Sequence, residues 1–117
     1  MPRRFLSPSG YEVLVGIDAK ENDSLSIRAS RNNDYWFHAN DCPGAHVILK
    51  KGLEQVPNKD IVWAAGIAVY YSKMRGPGKH NVIWARGADI RKAVSAPGTV
   101  ECLSGKIIRV VEARPCF

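Results

Sequence analysis

The residues with the most chemical capacity lie close together in one stretch: Asp34, His38, Cys42 and His46, with Trp36 among them. His38, Cys42 and His46 recur at a spacing of four, which gathers metal ligands on one face of a helix. Pro43-Gly44 interrupts the run and forbids that helix. A metal site is therefore not expected, and nothing else in the chain implies a cofactor. Cys42 beside a histidine could imitate a Cys-His pair, and Asp34 could orient a histidine as general base. No Ser elbow and no phosphate loop accompany them: Gly76-Pro77-Gly78-Lys79 lacks the Ser/Thr and the preceding strand that such a loop needs. An enzyme built on Asp34, His38 and His46 is the weakest reading, and no catalytic residue is assigned. Two others remain open. The histidines hydrogen-bond within the fold and lock the turn, or they line a ligand surface beside Trp36.

The elements that hold these residues read as strand, turn, strand. Residues 35–38 are aromatic and suit a pleated, half-buried surface. Pro43-Gly44 marks the turn, and residues 46–49 form an apolar run of strand length. Alternation places Trp36 and His38 on one face, Tyr35 and Phe37 on the other, and His46 with Ile48.

The charge points to a partner. Seventeen basic residues against eleven acidic ones give +6 over 117 residues. Lys73, Arg75, Lys79, Arg86, Arg91 and Lys92 fall in one segment, opposed there only by Asp89. Clustered cations are the footprint of a polyanion ligand; a merely solvated basic face is the alternative. The three cysteines are irregularly spaced and suggest free thiols rather than a disulfide framework. No apolar run reaches membrane-spanning length and no signal-peptide core follows the basic start, so a cytoplasmic protein is expected.

The remaining elements follow from pattern. Residues 1–10 read as an irregular lead-in and residues 11–16 as a strand with Tyr11, Val13 and Val15 on one face. Residues 18–23 read as a turn. Residues 24–31 alternate, with Leu25, Ile27 and Ala29 inward, as in a half-buried strand. Asn58 suits a helix N-cap, and residues 61–74 form one long apolar helix stopped by Gly76-Pro77-Gly78. Residues 81–85 read as a strand, and 99–103 with 106–112 as a hairpin around Ser104-Gly105. The sum is one α+β domain over residues 1–117: six or seven short strands in a mainly antiparallel sheet, with one long helix packed on it.

The motifs Asp34-x-Trp36-Phe37-His38 and Pro43-Gly44-Ala45-His46-Val47-Ile48-Leu49 resemble the core signature of the NFACT-R domain family. Further similar segments are Ser7-Pro8-Ser9-Gly10-Tyr11 with Val15-Gly16, then Glu21-Asn22-Asp23. Ala64 with Tyr70-Tyr71-Ser72-Lys73 and Arg75 matches the family's helix, and Arg91-Lys92 with Pro97-Gly98-Thr99-Val100 its closing segment. The likeness covers roughly residues 5–111. Ala45 departs from the usual serine, and Trp84-Ala85-Arg86 from the usual tyrosine-threonine run.

The resemblance implies an RNA-binding module of ribosome-associated quality-control factors, whose larger members act on the large ribosomal subunit and engage tRNA. The chain reads as a stand-alone form, so tail-elongating activity is not carried over. Expected RNA contacts are Trp36, His38, His46, Lys73, Arg75, Arg86, Arg91 and Lys92, with Trp84 as a further stacking ring. Asp34, Pro43, Gly44 and Ser72 are expected to support the motif. The expected partners are tRNA or rRNA, with the ribosome or an RNA-modifying enzyme beside them. A protein-interaction adaptor is the alternative.

Overall fold

The computed structural model describes residues 3–32, 34–39, 45–51, 55–72, 76–92, 100–102 and 105–113. Within them lie eight strands: β1 (Arg3–Leu6), β2 (Glu12–Gly16), β3 (Tyr35–Ala39), β4 (His46–Leu49), β5 (Lys79–Arg86), β6 (Ile90–Lys92), β7 (Val100–Cys102) and β8 (Lys106–Val111). Two helices, α1 (Ala19–Asn32) and α2 (Asn58–Tyr70), complete the set, with a 3-10 turn at Gly87–Asp89. Six strands form one antiparallel sheet in the order β1-β2-β4-β3-β5-β8, and β6 pairs with β7 as a separate ribbon.

Each face of the sheet carries one helix. Val13, Val15, Phe37, Val47, Leu49, Val82 and Val110 point to one side, where Ile61, Ala64, Ala65, Ile67 and Ala68 of α2 cover them. Alanines at the contact let the helix lie close, and at Gly66 there is no room for a side chain. A Cβ there would meet the Val111 carbonyl oxygen at 2.8 Å, and Gly66 accepts a hydrogen bond from the Ala113 amide (3.0 Å). On the other side Trp36, Ile48 and Ala85 pack under Leu25 and Ala29 of α1.

The α+β class and the antiparallel sheet are as read from sequence; the helices are not. Residues 24–31 are helical. The strand-like alternation of Leu25, Ile27 and Ala29 is coincidental: Ile27 is 40% exposed, while Asn22, Leu25, Ser26 and Ala29, at helical spacing, are buried. The start is fixed by a reciprocal cap. The Asp18 carboxylate accepts from the Glu21 amide (2.8 Å), and Glu21 Oε1 accepts from the Ile17 amide (3.1 Å). The polar run 18–23 is thus a helix entry rather than a turn. The one long helix expected over 61–74 is replaced by two of 14 and 13 residues.

Other boundaries move as well. Pro57 occupies the N-cap of α2, so Asn58 is the first helical residue. The helix closes at Tyr71, ahead of Gly76-Pro77-Gly78. Arg3–Leu6, read as irregular, pairs along β2. The expected hairpin of 99–103 with 106–112 does not form. Val100–Cys102 pairs with β6, and Lys106–Val111 closes the sheet against β5. The Pro97-Gly98 turn lies outside the described residues.

Candidate nucleic-acid interface

The histidines and Trp36 sit between the sheet and α1. The Trp36 ring stacks on His38 (centroids 5.9 Å, 10° between planes) and meets His46 edge-on at 5.3 Å; the two imidazoles are 5.1 Å apart. Helix α1 completes the cage. Ser26 Oγ lies 3.2 Å from His46 Nδ1, and Asn22 Oδ1 accepts from the His46 amide at 3.1 Å. Trp36 is 2% exposed and His46 3%.

Burial lowers the pKa of both imidazoles. For His46 it drops to about 4, with neighbouring His38 adding to the fall and Asn22 and Asp23 opposing it. Both rings are therefore neutral at pH 7. This corrects the expectation that Trp36 and His46 contact RNA: neither reaches solvent, and neither imidazole carries a charge for a phosphate. For His46 the in-fold hydrogen-bonding reading holds. Nor does Asp34 join the histidines. It precedes β3, whereas His38 lies four residues along the strand, about 13 Å away. Its Oδ1 instead accepts from the Lys51 amide (3.2 Å), and its carbonyl accepts from the Gly87 amide (2.7 Å).

The cations divide differently from the expectation. Arg86 ends β5 with an exposed side chain that pairs with Asp89 (3.2 Å). Arg91 and Lys92 have their backbone in β6, beside α1, away from the face that carries Arg86; their side chains lie outside the described part. Lys73, Arg75, Pro43 and Gly44 also lie outside the described residues. Ser72 is a structural residue, its hydroxyl donating to the Val69 carbonyl at 2.7 Å.

A different group assembles where β3 begins and β5 ends, on the α2 face. Sheet register builds it. Tyr35 lies opposite Arg86, Phe37 opposite Trp84, and Trp84 opposite Lys106. The Tyr35 and Trp84 rings meet edge-on at 5.5 Å. Phe37 lies parallel to Trp84 at 6.5 Å and supports it from the core. Each half-buried ring carries a lysine: Lys51 Nζ lies 5.0 Å from the Tyr35 centroid and Lys106 Nζ 5.6 Å from that of Trp84.

These residues line two adjoining clefts. One, of about 280 Å³, is bounded by Tyr35, Trp84, Ala85, Arg86, Asp89 and Lys106. The other, of about 400 Å³, is bounded by Ser9, Gly10, Tyr11, Glu12, Lys50 and Lys51. Lys51 lines the second and covers the ring that lines the first. Behind the second cleft the Ser7–Gly10 loop is anchored on buried Asp60, which accepts from the Ser9 amide at 2.8 Å. Glu12 pairs with Lys50 (2.7 Å) and Arg4 on the rim.

Of the expected contacts, Arg86 and Trp84 are therefore brought together. Tyr35, Lys51 and Lys106 are additions. Period-two alternation put Tyr35 opposite in face to Trp36, but the face bearing Trp36 proved to be the one α1 covers. The two lysines gave no local signal because both stand just outside or at the edge of strands.

Aromatic rings overlaid by lysines, at the open end of a basic α+β domain, define a small domain suited to polyanions. The chain belongs to the NFACT protein RNA binding domain family, whose model matches residues 1–102. It is similar to the Rqc2 homolog RqcH of Streptococcus suis (32% identity, 93% of this chain) and of Bacillus subtilis (33%, 80%). A ribosome quality control complex subunit NEMF homolog of Drosophila melanogaster matches 58% of the chain at 32% identity. The chain spans 20%, 16% and 7% of those relatives' lengths. Among solved structures, the C-terminal part of the fibronectin/fibrinogen-binding protein of S. suis superposes with a TM-score of 0.86 at 31% identity. That likeness covers 96% of this chain and 46% of the other.

Proposed function

We propose that the domain binds structured RNA, tRNA or rRNA, through the Tyr35–Trp84 end of the sheet, and serves ribosome-associated quality control in the cytoplasm. The supporting observation is the pair of lysines held over aromatic rings beside Arg86. A lysine resting on a ring is partly ordered before the ligand arrives, so less side-chain entropy is lost when it meets a phosphate. The exposed edges of Tyr35 and Trp84 are then available to sugars or unpaired bases while their lysines hold the phosphates. Family membership and the names of the relatives support the same reading. The domain acts without chemistry of its own: Asp34, His38 and His46, which a catalytic reading needs together, are divided between opposite ends of β3. Among the described residues no helix is long and apolar enough to cross a membrane.

Filter binding of tRNA across a salt series tests this. Lys51→Ala/Lys106→Ala is expected to weaken binding at least about tenfold and to flatten the log–log salt dependence by about 1.4 to 1.8, as for two phosphate contacts on single-stranded or duplex parts of the RNA. Wild-type affinity that ignores salt, or a double variant that binds as wild type, overturns the assignment. Cross-linking in cells with sequencing of the bound RNA then identifies the ligand.

A further inference from the structure

The α1 face of the sheet is only partly covered. Helix α1 packs on β2, β3, β4 and the Gly87–Lys92 segment, whereas among the described residues the same face of β8 keeps its apolar side chains exposed. There Ile107 is 57% exposed and Val111 55%, with Arg109 between them on the same face. Their cross-strand neighbours on β5 are Ile83, Asn81 and Lys79. The strip is thus apolar at both ends and cationic in the middle and at one flank, with no acid among these six residues. Strand β8 is also the sheet's last, so one edge of its backbone meets no strand among the described residues.

We propose that β8 accepts an extended acidic segment of a partner protein, added as a seventh strand with the pattern apolar-x-acidic-x-apolar. This goes beyond the RNA surface, which occupies the opposite face. Residues directly across a strand pair share a face, so the incoming chain sets its apolar side chains against Ile107 and Val111 and its acid against Arg109. Charge selects this occupant over a second copy. Antiparallel self-pairing that matches Ile107 with Val111 sets Arg109 against Arg109, between two chains of charge +6. Charge also favours an acidic peptide over a neutral one. Nucleic acid would satisfy Arg109 but would leave Ile107, Val111 and the open backbone edge unused.

Fluorescence anisotropy with two synthetic peptides tests the proposal: Thr-Ile-Thr-Glu-Thr-Val-Thr, and the same peptide with Lys for Glu. The intact chain is expected to bind the first at least about tenfold more tightly, since like charges set opposite each other are strongly disfavoured. Arg109→Glu should invert the preference, an outcome misfolding cannot produce, and Ile107→Asp should abolish both signals. Lys51→Ala alone, away from β8, should weaken tRNA binding and leave peptide binding unchanged, so failure of the RNA assignment is read separately. Equal binding of the two peptides overturns the proposal. So does displacement of the peptide by an RNA oligonucleotide, or a sedimenting dimer that Ile107→Asp dissociates.

Discussion

His46 makes the fold acid-sensitive in a calculable way. A free imidazole titrates near 6.5, and the buried ring near 4. The folded protein therefore takes up its proton later than the unfolded chain as pH falls. Because the folded value is depressed, unfolding binds a proton between these limits, and stability is lost on acidification from about 6.5 down to 4. From pH 7.5 to pH 5 this one ring costs about 2 kcal/mol, and the full gap is worth on the order of 3 kcal/mol. His38, also lowered by burial, adds to the same trend. His46→Gln removes the titration while keeping a polar group near Ser26 and Asn22. The variant is expected to be less stable at pH 7.5, through lost ring contacts, yet to show a pH dependence flatter by about 2 kcal/mol. Urea denaturation at half-unit steps from pH 5 to 7.5 measures both curves. Parallel curves for variant and wild type would refute the argument that His46 is held neutral by burial.

Other substitutions test the packing and the anchor. Trp36→Ala should cost about 3–5 kcal/mol in urea denaturation, as for a buried aromatic. At a temperature where it remains folded, its RNA affinity should equal wild type, which an RNA-stacking role for Trp36 would not allow. Gly87→Ala should destabilise by about 3 kcal/mol or more, because its Cβ would fall 1.7 Å from the Ala29 carbonyl oxygen; a thermal melt within a degree of wild type would contradict that contact. Asp60→Ala should cost about 1.5–3 kcal/mol through the lost charge-assisted hydrogen bonds and raise amide exchange at Ser9. Burial alone pushes the Asp60 carboxyl up, but bonds from Ser7 and Ser9 outweigh it and hold the pKa below 3.8. Its contribution is thus present above that value and lost as pH falls below it, a component Asp60→Ala should lack.

The parts legible in the sequence are those where one periodicity had no rival. Val13 and Val15 in β2, and Val82 with Trp84 against Ile83 with Ala85 in β5, fall on the faces that alternation assigns. Helix α1 was not legible from its apolar residues, because Leu25 and Ala29, four apart, satisfy both periods and Ile27 completes only the strand-like one. The Asp18-x-x-Glu21 cap was the deciding signal, and it is polar. Strand β8 was recognisable as a strand but not in its pairing: sequence proximity favours a hairpin with β7, whereas burying Val110 under α2 requires β5 as neighbour. The site was half legible for a related reason. Alternation divides Tyr35 from Trp36 but cannot say which face a second helix will close.

The bond between the Ala113 amide and the middle of α2 has a consequence for biogenesis. The central helix cannot finish docking until a strand encoded some forty residues later has arrived to fill the space beside Gly66. During translation the earlier strands must wait, with one flank of α2 still wet, until Ala113 has left the exit tunnel. A release series of stalled nascent chains should therefore gain protease resistance in one late step and not strand by strand.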